Sequence, residues 1–158
     1  SLDSATQVHE LDLANVDALD YHVWFQHNRE MRPTGLGQLV SGNNDQNIEE
    51  VGRKVRAFWL ENRARMIDWM TGRIRDISAA AAKHGIPCGN TEGWGPIGWL
   101  DHPALDWEWV KESAEICVDL ALRHNYKFIC TSNFTHPQFR GLWRDVKWHR
   151  KITARIRR

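Results

Sequence analysis

Glu92 lies in the segment GNTEGWGP, residues 89–96, directly behind the apolar run Ile86-Pro87-Cys88. A carboxyl group there must either find a partner or face an opening, because a bare buried charge is costly. The glycines around it let the chain turn sharply and let another molecule approach the backbone. Trp94 stands two residues on, and the chain carries nine tryptophans in 158 residues. An indole offers a flat apolar face and one N–H donor. Sugars have apolar C–H faces and polar edges, so tryptophan-lined clefts suit them, although most of the nine are expected in the core. The chemistry on offer is a carboxylate in surroundings fit for a carbohydrate. A salt bridge to an arginine, or a loop cap, would also account for Glu92.

Other reactive residue types form no recognisable site. Cys88, Cys117 and Cys130 make no CxxC pair and leave one over, which argues against a disulfide scaffold and a zinc site. Ser132, His136 and Asp145 lack the GxSxG elbow of a hydrolase triad. No GxGxxG or GxxxxGK[ST] follows an expected strand, so neither dinucleotide nor nucleotide phosphate binding is supported. No metal and no cofactor is therefore expected. The net charge is +1, and nothing points to nucleic acid or a membrane surface as partner. The basic C-terminal run from Arg150 to Arg158 suits the negative end of a helix dipole. No apolar stretch approaches the roughly 20 residues of a membrane span. No signal-peptide pattern opens the sequence; the compartment stays open, with the cytoplasm as the default expectation.

The elements that would position Glu92 alternate. Residues 17–25 place Leu19, Tyr21, Val23 and Phe25 on one face and Asp20, His22 and Trp24 on the other, a strand pattern. Residues 26–46 read as a long loop rich in Gly and Asn. Asn47 with Glu50 resembles a capping box. Apolar residues then recur at helical spacing from Ile48 to Ala82, and Gly85 supplies the stop; Thr71-Gly72 is a candidate kink. Residues 85–90 read as a short buried strand. Asp106 is a candidate N-cap for a helix over 107–124, closed by Asn125, with Asp101-His102 on the loop between. Residues 127–131 form a third strand, and a last helix falls over roughly 144–157. Such alternation predicts an α/β fold with parallel strands and helical crossovers.

Functional residues of such units collect at the carboxyl ends of the strands. The first strand ends with His22 and Trp24, the second with Asn90, Glu92 and Trp94, the third with Thr131, Ser132 and Asn133. Three polar or aromatic ends in register suggest a shared cleft.

The stretch from Ile86 to Gly95 resembles the nucleophile strand of clan A-type retaining glycoside hydrolases, whose fold is a (β/α)8 barrel. More narrowly, NTEGWGPIGWLDHP with CTSNFTHPQFRGLWRDVKWHR resembles the sugar-binding cellulase-like family, over nearly the whole chain from Asp17. The resemblance implies that the three strands are the sixth to eighth of the barrel. It implies Glu92 as the nucleophile and His22 as a histidine facing the sugar, with Asn90 beside them as a substrate-binding residue. An ionised Glu92 also needs hydrogen-bond donors, for which His22 and Asn90 are the candidates. His22 could instead be a satisfied core histidine. Trp24, Trp94 and Trp99 would stack on sugar rings or pack the loops. Ser132 and Asn133 would bind hydroxyls or cap the segment that begins at Pro137.

The resemblance also implies a gap. The acid/base glutamate of that clan follows an asparagine at the end of the fourth strand, and no Asn-Glu dipeptide occurs here. A full barrel takes about 250 residues. The chain therefore reads as a C-terminal barrel portion, with β-linked sugars as substrate and the missing N-terminal half, or a second copy, as partner. The rival readings are a non-catalytic carbohydrate-binding barrel, a metal-dependent sugar isomerase or aldolase, and a structural α/β interaction domain. Three parallel strands leave two open edges. The purified chain is accordingly expected to be unstable or to associate, and light scattering that finds a fully folded monomer would count against the barrel-portion reading.

Overall fold

The computed structural model describes residues 12–37, 47–96, 99, 101–131 and 144–158. Three short strands, β1 (Leu19–Asp20), β2 (Cys88–Asn90) and β3 (Phe128–Ile129), form a parallel sheet in the order β1-β2-β3. Helix α1 (Ile48–Lys83) connects β1 to β2, helix α2 (Glu108–Arg123) connects β2 to β3, and helix α3 (Val146–Ile156) follows. The expected alternation of strands and helical crossovers is present. Leu19 pairs with Cys88 and Asp20 with Gly89, while Gly89 pairs with Phe128 and Asn90 with Ile129. All three strands thus end at one level.

The first strand is much shorter than the alternation over residues 17–25 predicts. Val23, Trp24 and Phe25 are all buried in succession, which no half-exposed strand allows. The chain instead coils into 3-10 turns at Phe25–His27 and Arg29–Thr34. The reason is packing. Phe25 stacks on Trp59 of α1 at 5.4 Å and on Trp109 of α2 at 5.9 Å, and Trp99 meets Trp109 edge-on at 5.1 Å. Aromatic pairs at such separations contribute about 0.5–1.5 kcal/mol beyond area burial. The cluster binds the segments after β1 and β2 to both crossover helices. The Phe25 N–H also donates to the Gly95 carbonyl at 2.9 Å.

Helix α1 buries Val51, Val55, Trp59, Met66, Met70, Ile74 and Ile77, as its spacing predicts. Its ends and its bend differ from expectation. Asn47 makes no side-chain cap bond, and Glu50 pairs with Lys54 at 2.6 Å instead. The kink falls at Asn62, with φ −116° and ψ 18°, and not at Thr71-Gly72. The Asn62 amide donates to the Phe58 carbonyl at 2.9 Å, so a side chain enters the backbone ladder there. Helix α2 starts one residue later than expected, so its N-cap is Trp107 and not Asp106. The Asp106 carboxylate still accepts from the Glu108 N–H at 2.9 Å, from one residue before the cap. Asn125, at φ 61°, closes that helix. Asp145 accepts from the Trp148 N–H at 2.9 Å and starts α3.

Gly89 is the tightest point of the sheet. A Cβ there would lie 2.2 Å from the Phe128 carbonyl oxygen and 2.6 Å from its ring. That obstacle is backbone and cannot swing aside. Gly89→Ala is expected to destabilise the fold by about 3 kcal/mol or more by parting β2 from β3. Denaturant midpoints check this; an unchanged midpoint would mean that the strands are not held this closely.

Candidate functional site

The carboxyl ends of β1 and β2 carry a connected set of polar groups. Asp20 closes β1, and both of its oxygens accept from Thr91, the first residue after β2. The Thr91 N–H reaches Oδ1 at 3.0 Å, and the Thr91 hydroxyl donates to Oδ2. His22 lies two residues after Asp20. Its Nε2 is 3.2 Å from the Thr91 hydroxyl and 3.5 Å from Asp20 Oδ1. Its Nδ1 faces Glu92 Oε2 at 3.6 Å. The imidazole therefore stands between two carboxylates from neighbouring strand ends. The His22 and Glu92 side chains keep 34% and 25% of their surface exposed, so both are sheltered yet reachable from solvent.

Beneath this pair lies a buried layer. Asn90, at 1% exposure, donates from Nδ2 to the Glu92 backbone carbonyl at 3.1 Å and to the Cys130 carbonyl at 3.4 Å. Its amide holds the turn that presents Glu92 rather than the carboxylate, where a donor was expected. Trp94 Nε1 donates to the same Cys130 carbonyl at 3.2 Å, and the Cys130 N–H returns to the Asn90 carbonyl at 2.9 Å. The end of β3 is thereby tied to the loop that carries Glu92. Among the described residues, Asn90 Oδ1 is buried without a hydrogen-bond partner. Gly93 and Gly95 sit at φ 147° and 89°, conformations that favour glycine, and the peptide between Gly93 and Trp94 is cis.

The sequence-predicted residues divide accordingly. Glu92, His22 and Asn90 come together. Trp24, Trp94 and Trp99 are buried in the core. Trp24 presents its ring to the His22 edge at 6.4 Å, and Trp99 Nε1 donates to the Asp106 carbonyl at 3.1 Å. Their packing competes with the sugar-stacking role, since a covered indole face cannot receive a ring. Ser132 and Asn133 lie outside the described residues. Asp20 and Thr91 were not singled out from sequence. The signal for Asp20 was its period-two relation to His22, which puts both on one strand face. No group of three or more His, Cys, Asp or Glu side chains able to hold a metal ion occurs among the described residues. None of their helices is long and apolar enough to cross a membrane.

The ends of adjacent parallel strands thus bring together a histidine and a carboxylate that both stay reachable from solvent. The model of the family described as sugar-binding cellulase-like matches residues 1–157, and the chain belongs to that family. The crystal structure of a putative glycoside hydrolase from Parabacteroides distasonis is similar, with a TM-score of 0.81 and 28% identity over 98% of this chain. The chain spans 41% of that protein's length. No curated protein matches it.

Asn90→Asp replaces a buried donor by a carboxylate facing two carbonyl oxygens. It is expected to cost about 3 kcal/mol at neutral pH. Burial raises the pKa of the new carboxyl in the folded state. The penalty should therefore shrink as pH falls and the protonated acid regains a donor. Unfolding midpoints between pH 7 and 4 check this, and a variant as stable as the parent at pH 7 would contradict the assigned hydrogen bonds.

Proposed function

We propose that the chain is the C-terminal part of a retaining, cellulase-like glycoside hydrolase acting on β-linked sugars, with Glu92 as nucleophile. In this reading β1, β2 and β3 are the sixth to eighth strands of a (β/α)8 barrel. The observation that carries it is the meeting of Glu92 and His22, half-open to solvent, at the carboxyl ends of adjacent parallel strands. Membership of the cellulase-like family and the similarity to a structure more than twice as long support it.

Retaining hydrolysis uses two carboxyl groups roughly 5 Å apart. Glu92 attacks the anomeric carbon and forms an ester to it while the glycosidic C–O bond breaks. The leaving oxygen takes a proton from the second carboxyl group. Asp20 is a poor candidate for that acid, because both its oxygens already accept from Thr91. No Asn-Glu dipeptide of the kind that carries the acid in the resembling clan occurs in these 158 residues, so this reading takes the acid from the rest of the barrel. Water then attacks the anomeric carbon of the glycosyl-enzyme, gives its proton to the same acid/base group and frees Glu92. His22 lies where it can stabilise the carboxylate or meet a sugar hydroxyl. Asn90 holds the Glu92 backbone. Trp24, Trp94 and Trp99 form the packing beneath, and Ser132 and Asn133 remain candidates for hydroxyl contacts. The reaction calls on no cofactor or metal.

A second reading, a carbohydrate-binding barrel without hydrolysis, is favoured by the family's own description as sugar-binding. One experiment separates them. In a protein that carries this segment within a complete barrel, Glu92→Gln should lower turnover of an aryl β-glycoside by about 10⁴-fold or more while sugar affinity stays nearly unchanged. Turnover near the parent rate would remove Glu92 from the chemistry. An inactive parent that still binds sugar would establish the second reading.

A further inference from the structure

The two ring nitrogens of His22 have unequal surroundings, and those surroundings assign its protons. An ionised carboxylate only accepts hydrogen bonds. Asp20 accepts from the Thr91 N–H at 3.0 Å through one oxygen and from the Thr91 hydroxyl through the other. A hydroxyl has a single hydrogen. With that hydrogen given to Asp20, the Thr91 oxygen can only accept. His22 Nε2, 3.2 Å away, must therefore be the donor. Asp20 Oδ1, 3.5 Å from the same nitrogen, adds an electrostatic pull in the same direction. Nε2 carries a proton in the neutral ring as well as in the charged one.

Only Nδ1 is left to vary, and Nδ1 faces Glu92 Oε2 at 3.6 Å. A bare ring nitrogen opposite an ionised oxygen sets two electron-rich atoms against each other. A proton on either one removes that conflict. On Nδ1 it gives an imidazolium beside a carboxylate; on Oε2 it gives a neutral ring beside a carboxylic acid.

We infer that Asp20 and Thr91 are positioning residues that lock the His22 tautomer, holding a proton on Nε2 and turning Nδ1 toward Glu92. Among the described residues, the charged and hydrogen-bonding groups that face the ring are Asp20 from β1 and Thr91 and Glu92 from the loop after β2, with the Trp24 ring 6.4 Å away. The device aims Nδ1 at the Glu92 carboxylate. Its functional meaning rests on Glu92 acting as nucleophile; the tautomer itself does not.

The test is spectroscopic and uses a protein that carries this segment within a complete barrel. Long-range ¹H–¹⁵N correlation spectra of histidine-labelled protein resolve the ring tautomers, and His22 is assigned by the signal lost in His22→Gln. On the basic side of its titration, His22 should show a proton fixed on Nε2 in the parent, in Thr91→Ser and in Glu92→Gln. Thr91→Val, which lacks the acceptor, should move population toward Nδ1–H. A parent ring protonated at Nδ1, or averaging between tautomers, overturns the inference. So does a Thr91→Val spectrum equal to the parent's. If Thr91→Val does not fold, the parent and Thr91→Ser spectra still decide it. A locked tautomer alongside undiminished turnover of Glu92→Gln would sink the nucleophile assignment alone.

Discussion

The bridge from Asp20 to Thr91 spans two strands and determines where Glu92 stands. Short strands of two and three residues define a direction poorly by themselves. The carboxylate at the end of β1 takes the N–H and the hydroxyl of the residue immediately before Glu92. From below, the Asn90 amide takes the carbonyl of Glu92 itself. The backbone on either side of the Glu92 side chain is thus pinned to neighbouring elements. This pinning works only because the sheet is parallel and its register brings Asp20 opposite Gly89. The register in turn needs a glycine at 89, where the β3 backbone leaves no room for a side chain.

The tryptophans serve the site indirectly. Trp59 and Trp109 stack on Phe25, with Trp99 edge-on behind Trp109, and pull the segment after β1 off its strand course. Trp94 spends its N–H on the Cys130 carbonyl. Large aromatic side chains bury the most area per residue, and here they supply rigidity to loops that would otherwise carry only glycines and polar groups. Polar bonds add to this at the helix interface, where Lys111 joins Glu108 and Asp145, both at 2.8 Å, and ties α2 to the start of α3. Burial disfavours the Lys111 ammonium, but those two carboxylates outweigh it and raise its pKa.

The order of elements was legible because its signals are local. Helical spacing of Val51 to Ile77, the turn at Asn125 and the apolar run before Asn90 each depend on neighbours in sequence. The nearness of His22 to Glu92 was legible once the strands were taken as parallel. What sequence could not supply were decisions made across the fold. The alternation at residues 17–25 resembles a strand, yet aromatic packing from α1 and α2 buries both faces of Val23–Phe25. Asn47 has a capping residue's chemistry but makes no cap bond. Asn90 was expected to serve the carboxylate and serves the main chain, a choice fixed by where Cys130 lies. The roles of Asp20 and Thr91 depend on inter-strand register, which no single sequence encodes visibly.

The account centres on Glu92 as the atom that meets the anomeric carbon. The most direct measurement is trapping in the complete barrel with a 2-deoxy-2-fluoro aryl β-glycoside, whose activated leaving group departs without an acid and whose fluorine slows the second step. Peptide mass spectrometry should then find the sugar mass on the fragment that contains Glu92. Attachment to a different carboxylate, or release of product with inverted configuration and no adduct, would contradict the account.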